Sequence, residues 1–175
     1  YVPEVHGRRD AVVPFEEVVA CPKTTCEHFP KEGRKPRRLE GERILVWGDH
    51  YAAVDTVSYL AGIGKDVTVV TDRKEFAATV EVVHMYVMRK RFGQGEAEGL
   101  SPKPFKHPVK VIESSTVDEI RDGEVVLVDR DFKKTILPCD QVVSCWTRPN
   151  TELLDKLRAA GIAVANVGDS VKPRN

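Results

Sequence analysis

"RILVWGDHYAAVDTVSYL", residues 43–60, is the stretch that decides the fold. It opens with a continuous apolar run, which predicts a strand buried on both faces of a parallel sheet. A tight turn and a helix are predicted next, and the helix has one apolar stripe made of Ala53, Val54, Val57, Leu60 and Ala61. "DVTVVT", residues 66–71, predicts a second strand. A strand-helix-strand unit of about 30 residues has the length of a right-handed parallel crossover.

The turn after the first strand stands where dinucleotide-binding chains carry the G-x-G-x-x-G motif. Gly48, His50 and Ala53 hold the three glycine positions. Gly48 suits the tight turn, and Ala53 still allows helix and strand to pack closely. We expect the His50 imidazole to project into the path of a pyrophosphate and Asp49 to repel it. A charged histidine could instead bind phosphate, but an imidazole is mostly neutral at pH 7. The motif therefore predicts weak binding of a dinucleotide.

The end of the second strand is where such folds distinguish their nucleotides. A carboxylate there accepts hydrogen bonds from the ribose, and a nearby arginine accommodates a 2′-phosphate. Thr71 occupies the usual acidic position, followed by Asp72 and Arg73. Asp72 and Arg73 are equally compatible with a ribose contact and with a solvated turn.

Beyond residue 74 the pattern changes from helical to alternating. Residues 75–92 have helical spacing, and Asp122-Gly123 predicts a hairpin turn. Three strands are predicted within residues 109–120, 124–129 and 133–145. Asn150 or Thr151 would cap a short helix, and "IAVANVGD", residues 162–169, predicts a last strand. The chain therefore combines a parallel half with an antiparallel meander.

Composition limits the classes of function. The 175 residues carry 27 Lys plus Arg and 27 Asp plus Glu, so no net charge favours nucleic acid or an acidic partner. No apolar run reaches the roughly 20 residues of a membrane-spanning helix, and no signal-peptide pattern opens the chain, so a cytoplasmic protein is expected. Cys21, Cys26, Cys139 and Cys145 are too few and too irregular for a disulfide framework, which predicts reduced thiols.

Three stretches carry a resemblance to a known family: the turn at Gly48–Ala53, "DQVVSCWTRPN" at 140–150, and "VGDSVKPRN" at 167–175. Together they resemble the NAD(P)/FAD-binding, pyridine nucleotide-disulfide oxidoreductase-like domain. The tail is most similar to the fused old-yellow-enzyme-type flavoproteins related to 2,4-dienoyl-CoA reductase and trimethylamine dehydrogenase. Trp146 and Thr147 stand near a position where relatives have glycine. Trp146 could stack on a cofactor ring, fill the vacated pocket or pack against a neighbouring domain.

The resemblance implies the fold and its domains. It implies an α/β, Rossmann-like three-layer domain with a central parallel sheet and an antiparallel β-meander, in which a nicotinamide-type domain is inserted in an FAD-type domain. Residues 1–42 would be the connector from the FAD-type domain, 43–150 the nicotinamide-type domain and 151–175 the return. The chain is expected to be a segment of a longer polypeptide.

The resemblance also implies cofactors and partners. Gly168 and Asp169 match the turn whose aspartate hydrogen-bonds the nucleotide of the FAD-type domain. NAD(P)H would bind weakly, FAD or ADP would bind in the parent protein, and FMN and an iron-sulfur cluster would belong to the parent's barrel domain only. That barrel is the expected partner, and an electron-transfer flavoprotein or a homo-oligomer is possible in the parent. The spacing of Cys21 and Cys26 does not match a cluster-binding run, so they are predicted to be unliganded.

Two functions follow. The first is a module that docks NAD(P)H for hydride transfer to FAD in an FMN/iron-sulfur oxidoreductase, with a degraded nucleotide site. The second is a structural or interaction domain of an amine-dehydrogenase-like flavoprotein that no longer binds nicotinamide. No catalytic acid, base, nucleophile or metal ligand is predicted. An unrelated Rossmann-type binding protein would account for the first 72 residues but not for the hairpin region or the tail.

Overall fold

The structure, a computed structural model, describes residues 1–19, 39–94 and 103–171. The predictions for the basic connector, Cys21 and Cys26, and for the last four residues of the tail lie outside these ranges. The strands are β1 His6–Gly7, β2 Val12–Pro14, β3 Arg43–Trp47, β4 Asp66–Val70, β5 Lys110–Ile112, β6 Ser115–Arg121, β7 Glu124–Asp129, β8 Lys134–Pro138 and β9 Gln141–Ser144. The helices are α1 Phe15–Val18, α2 Tyr51–Gly62, α3 Val82–Arg91 and α4 Glu152–Ala159, with 3-10 turns at Arg9–Ala11 and Gly168–Ser170.

A five-stranded parallel sheet in the order β2-β9-β3-β4-β5 forms the centre of the fold. Its middle strand, β3, pairs Val46 with Val69 of β4 and Val143 of β9. The α2 stripe predicted from the sequence is fully buried against one face. The strand-helix-strand unit and the α/β fold class are therefore confirmed.

A second sheet has the order β1-β6-β7-β8, in which β6, β7 and β8 are antiparallel and β1 runs parallel to β6. The predicted hairpin at Asp122-Gly123 is confirmed, because Arg121 pairs with Glu124 and Gly123 has a φ of 74°. The inner face of this sheet packs against the parallel sheet through Val117, Val125 and Leu127. The fold therefore has one core on each side of the parallel sheet.

The first residues of the chain contribute to both sheets, which the sequence pattern did not predict. β1 pairs with β6, and β2 forms an edge of the parallel sheet beside β9. Val12 and Val13 are buried on opposite faces, one in each core. Only three residues long, β2 gives too short an apolar pattern to be recognised as a strand.

The helix predicted over residues 75–92 begins only at Val82, so its first part was wrong. Ala77 has a φ of 58°, which no residue of a right-handed helix adopts. Its N–H donates to the Asp49 carboxylate rather than to a helical carbonyl. A tertiary hydrogen bond thus overrides the helical pattern in this segment.

Two of the predicted strands are each divided between the sheets. Residues 109–120 split into β5 and β6, because Ser114, with a φ of 53°, redirects the chain from the parallel to the second sheet. Residues 133–145 split into β8 and β9, where Cys139 N–H donates to Gly123 and Asp140 N–H donates to Arg43. The short strands predicted in these two ranges are present, but the switch between the sheets was not predicted because alternation continues across it.

The C-terminal part has the predicted helix but not the predicted strand. α4 is preceded by Asn150, whose Oδ1 accepts from Glu152 N–H, and contains no buried residue. Residues 162–167 form no strand. Their side chains are largely exposed, and no strand of the described chain lies alongside to complete a ladder.

Candidate functional site

The carboxyl ends of β3, β4 and β9 meet at one edge of the parallel sheet. In open α/β sheets, ligands bind in the crevice outside the carboxyl ends of the strands. Residues 48–53, 71–73 and 145–147 follow these strand ends, and we call them the candidate crevice. The structure therefore brings together, at this edge, the site residues predicted after β3 and after β4.

Gly48 is the point of closest approach between two crevice segments. A Cβ atom placed on it would lie 2.8 Å from the Cβ of Cys145. Its N–H donates to the Val70 carbonyl of the neighbouring strand at 3.1 Å. Gly48 thus serves the tight turn that the motif requires, and Cys145 is the reason it must lack a side chain.

His50 is the N-cap residue of α2. Its Nδ1 accepts a hydrogen bond from Ala52 N–H at 3.1 Å, and its carbonyl accepts from Ala53 and Val54. The free N–H groups of a helix N-terminus are what a bound pyrophosphate would use. One of them is already bonded to the imidazole. Ala53, at the third glycine position, is fully buried, as close packing of helix and strand requires.

Asp49 is turned into the protein and is only 5% exposed. Its Oδ1 accepts from Ala77 N–H at 2.7 Å, and its Oδ2 lies 3.8 Å from Nε of Arg73. Burial raises the pKa of Asp49, and the bonds from Ala77 and Thr71 and the charge of Arg73 oppose that shift. The carboxylate expected to repel phosphate from the crevice instead bonds the backbone after β4.

The residues at the end of β4 are engaged within the chain. Thr71 is fully buried, and its hydroxyl accepts from Arg73 N–H at 3.1 Å. The Asp72 side chain is exposed, and its carbonyl accepts from Arg130 of the β7–β8 hairpin. Arg73 is half exposed and pairs with Asp49. Asp72 is the one carboxylate among these three residues, and it is turned to solvent, where a ribose could meet it.

At the end of β9, Trp146 packs against Trp47 of β3 in an edge-to-face pair, with ring centroids 6.1 Å apart. Trp47 is buried in the core between the two sheets, and the partly buried Trp146 packs against that core. Cys145 beside them is buried, and burial raises its pKa to about 12. Cys139 and Cys145 are free thiols, as predicted. Trp146 therefore makes an aromatic contact within this chain. This contact is a further role beside the stacking and packing alternatives considered from the sequence.

Gly168 and Asp169 form the exposed 3-10 turn near the C-terminal end. Gly168 has a φ of 72°, and a Cβ there would meet no atom within 4 Å. The hydrogen bonds between Asn166 and Ser170 hold the turn locally. The turn predicted from the resemblance is present, and its aspartate is exposed.

Three residues that contribute to this region were not predicted from the sequence. Tyr51 and Glu113 accept hydrogen bonds from the segment between β4 and α3, and Ala77 in that segment has a positive φ. Alanine disfavours this conformation, so no local pattern points to it. Among the described residues, no cluster of three His, Cys, Asp or Glu side chains could hold a metal ion. Nor is any helix there long and apolar enough to cross a bilayer.

No protein-family model and no curated protein matches the chain. Solved structures do match. The chain is similar to 2-naphthoyl-CoA reductase in complex with 2-naphthoyl-CoA, with a TM-score of 0.68 and 20% identity over 99% of this chain and 23% of that one. It is similar to histamine dehydrogenase from Rhizobium sp. 4-9, with a TM-score of 0.59 and 20% identity over 94% and 24%. The HOCl-induced flavoprotein disulfide reductase RclA of Escherichia coli gives 0.60 and 16% over 94% and 31%.

The fold is that of Rossmann-like FAD/NAD(P)-binding flavoproteins. This agrees with the predicted fold class. Identities of 16–20% establish the fold and leave the activity to the site itself. The chain spans less than a third of the length of each of these three proteins.

Proposed function

We propose that the chain is the nicotinamide-type module of a flavin-dependent oxidoreductase and that its crevice binds NAD(P)H only weakly. The observation that carries the proposal is the hydrogen bond between Ala52 N–H and the His50 imidazole. A pyrophosphate at the start of α2 would have to displace that bond and the ring that makes it. A net hydrogen bond of this kind contributes about 1 kcal/mol, and the steric conflict adds to it.

The parent in this proposal resembles the fused old-yellow-enzyme-type flavoproteins. It would hold FAD or ADP in the FAD-type half to which Gly168 and Asp169 belong, and FMN and an iron-sulfur cluster in a barrel domain. The match to 99% of this chain within a much longer CoA-ester reductase supports such an arrangement. The barrel would be the partner of this module within one polypeptide.

Calorimetric titration of the 175-residue chain with NADH and with NADPH tests the proposal. We expect dissociation constants no tighter than about 1 mM, which corresponds to roughly 4 kcal/mol. A micromolar constant for the unaltered chain would overturn the weak-binding proposal.

The substitution His50→Gly tests the cause. It frees Ala52 N–H and removes the ring, so we expect binding to become tighter. The matched control is His107→Gly, because residue 107 precedes β5 and so lies toward the opposite edge of the parallel sheet. Equal dissociation constants for the two variants would show that His50 is not what weakens binding of the dinucleotide.

A second candidate is a structural or interaction domain of an amine-dehydrogenase-like flavoprotein. The engagement of Thr71 favours it, because the position that would accept from a ribose is buried and bonded to Arg73 N–H. Under this alternative, His50→Gly leaves binding undetectable, since the buried Thr71 does not supply the ribose contact either. The two candidates therefore predict opposite outcomes for one variant.

A further inference from the structure

Residues 72–81, which connect β4 to α3, form a segment that we call the strap. Its most unusual residue is Ala77, which has a φ of 58° and is 2% exposed. For alanine, the left-handed conformation is unfavourable, because its Cβ crowds the following carbonyl oxygen. Such strain persists only where surrounding interactions hold the backbone in place.

Side chains from three other parts of the fold supply those interactions. Asp49 of the β3–α2 turn accepts from Ala77 N–H at 2.7 Å, and Glu113, between β5 and β6, accepts from Phe76 N–H at 2.8 Å. The Tyr51 hydroxyl of α2 accepts from Glu81 N–H at 3.2 Å. These three N–H groups of the strap thus bond to side-chain acceptors, while at its start the carbonyls of Asp72 and Arg73 accept from Arg130 and from Ser114 N–H.

Among these acceptors, only Asp49 is buried. Asp49 accepts from the strained Ala77 itself. Glu113 and Tyr51 accept from residues on either side of Ala77. Arg73 lies 3.8 Å from Oδ2, and the charge of Asp72 also acts on the carboxylate. Loss of the Asp49 acceptor would leave the buried Ala77 N–H without a partner, which destabilises this conformation of the strap.

The strap also forms one wall of a groove of about 430 Å³. Ala77, Ala78 and Val80 line it on the strap side, and Met85 and Tyr86 line it on the α3 side. The width of the groove therefore depends on the position of the strap. Asp49 follows β3 at the crevice, whereas its carboxylate bonds the strap at Ala77, a residue that lines the groove.

We propose that Asp49 is the latch that holds the strap closed, and that release of the Asp49–Ala77 hydrogen bond lets residues 76–81 open as a unit. Opening relieves the strain at Ala77 and removes one wall of the groove. The β3–β4 ladder stays intact, because the strap begins only after β4. This latch operates whether or not the crevice binds a nucleotide.

Native-state hydrogen exchange of the unaltered chain is the first test. The amides of Phe76, Ala77 and Glu81 should exchange with a common opening constant, at least about tenfold larger than that of Val69 in β4. If Ala77 exchanges only as slowly as Val69, the strap belongs to the core and the proposal is wrong.

Two substitutions at Asp49 then separate the acceptor from its charge. Asp49→Ala should increase exchange at residues 76–81 at least about tenfold without changing β7. Asp49→Asn keeps an acceptor oxygen and should stay within about threefold of the unaltered chain. Asp140→Ala is the matched control, since Asp140 also accepts from backbone N–H groups, at Glu42 and Arg43. An unchanged strap in Asp49→Ala, or an equal increase in β7, would refute the latch.

Discussion

Gly48 has a structural role in the turn after β3 that does not depend on a bound ligand. It is the one glycine of the nucleotide motif that remains, and the atom nearest to a Cβ placed on it is the Cβ of Cys145. The contact belongs to the protein itself and persists without a ligand. The presence of a glycine at position 48 is therefore evidence for close packing of β3 against β9.

Gly48→Ala should destabilise the chain by about 1–3 kcal/mol, because the added methyl would lie 2.8 Å from the Cys145 Cβ. Urea unfolding at pH 7 measures this loss. Gly62→Ala at the end of α2 is the control, since a Cβ there meets only Phe105 at 3.7 Å, an ordinary contact. The control should be neutral or slightly stabilising, because alanine favours a helix. Equal effects of the two substitutions would contradict the packing argument.

At the scale of elements, the sequence predicted what a local pattern can encode. The apolar run and stripe of 43–60 predicted β3 and α2, and Asp122-Gly123 predicted the hairpin. Tertiary bonds account for the late start of α3, since the Asp49 carboxylate is distant in sequence from Ala77. The direction of the Asp49 side chain could not be predicted for the same reason, because its partner lies beyond the next strand.

The beginnings of β3 and β9 are joined by another carboxylate, that of Asp140. It accepts from the N–H groups of Glu42 and Arg43, each at 2.8 Å, and from the Arg43 guanidinium. The guanidinium and these backbone bonds hold the pKa of Asp140 well below its usual range. A carboxyl with a lowered folded-state pKa stabilises the fold most when it is ionised.

Asp140→Ala should therefore cost about 2 kcal/mol at pH 7, the range for hydrogen bonds to a charged group. The stabilisation by Asp140 is complete above the unfolded pKa of about 3.9 and is lost as pH falls through the folded value. Urea midpoints of the two chains should converge as the pH is lowered below about 4. A difference that stays constant down to pH 3 would mean that the charge of Asp140 contributes nothing.

At the scale of the whole molecule, the two cores share one sheet. Ile44 and Val46 of β3 face the core under α2, whereas Leu45 and Trp47 face the core toward the second sheet. β9 alternates in the same way, with Val143 on one side and Val142 on the other. Loss of either core would expose one whole face of the parallel sheet, so we expect both to unfold together.

Each core contains one buried thiol that can report on it. Cys145 belongs to the core under α2 and Cys139 to the other core. Burial raises the pKa of Cys139 to about 11 and that of Cys145 to about 12. Since the thiolate is the reactive form, neither should react with a disulfide reagent at pH 8 while the fold is intact.

Two variants that each retain one of these thiols measure the coupling. Cys21→Ser and Cys26→Ser are common to both, combined with Cys145→Ala in one variant and Cys139→Ala in the other. For each variant, the labelling rate is compared with the unfolding curve that circular dichroism gives for the same variant. The two labelling rates should rise with urea at the same slope, and each should give the global free energy of unfolding. Labelling of Cys139 well before the circular-dichroism transition would show that the second sheet opens independently. The shared strands β3 and β9 argue for the cooperative result, because each places side chains in both cores.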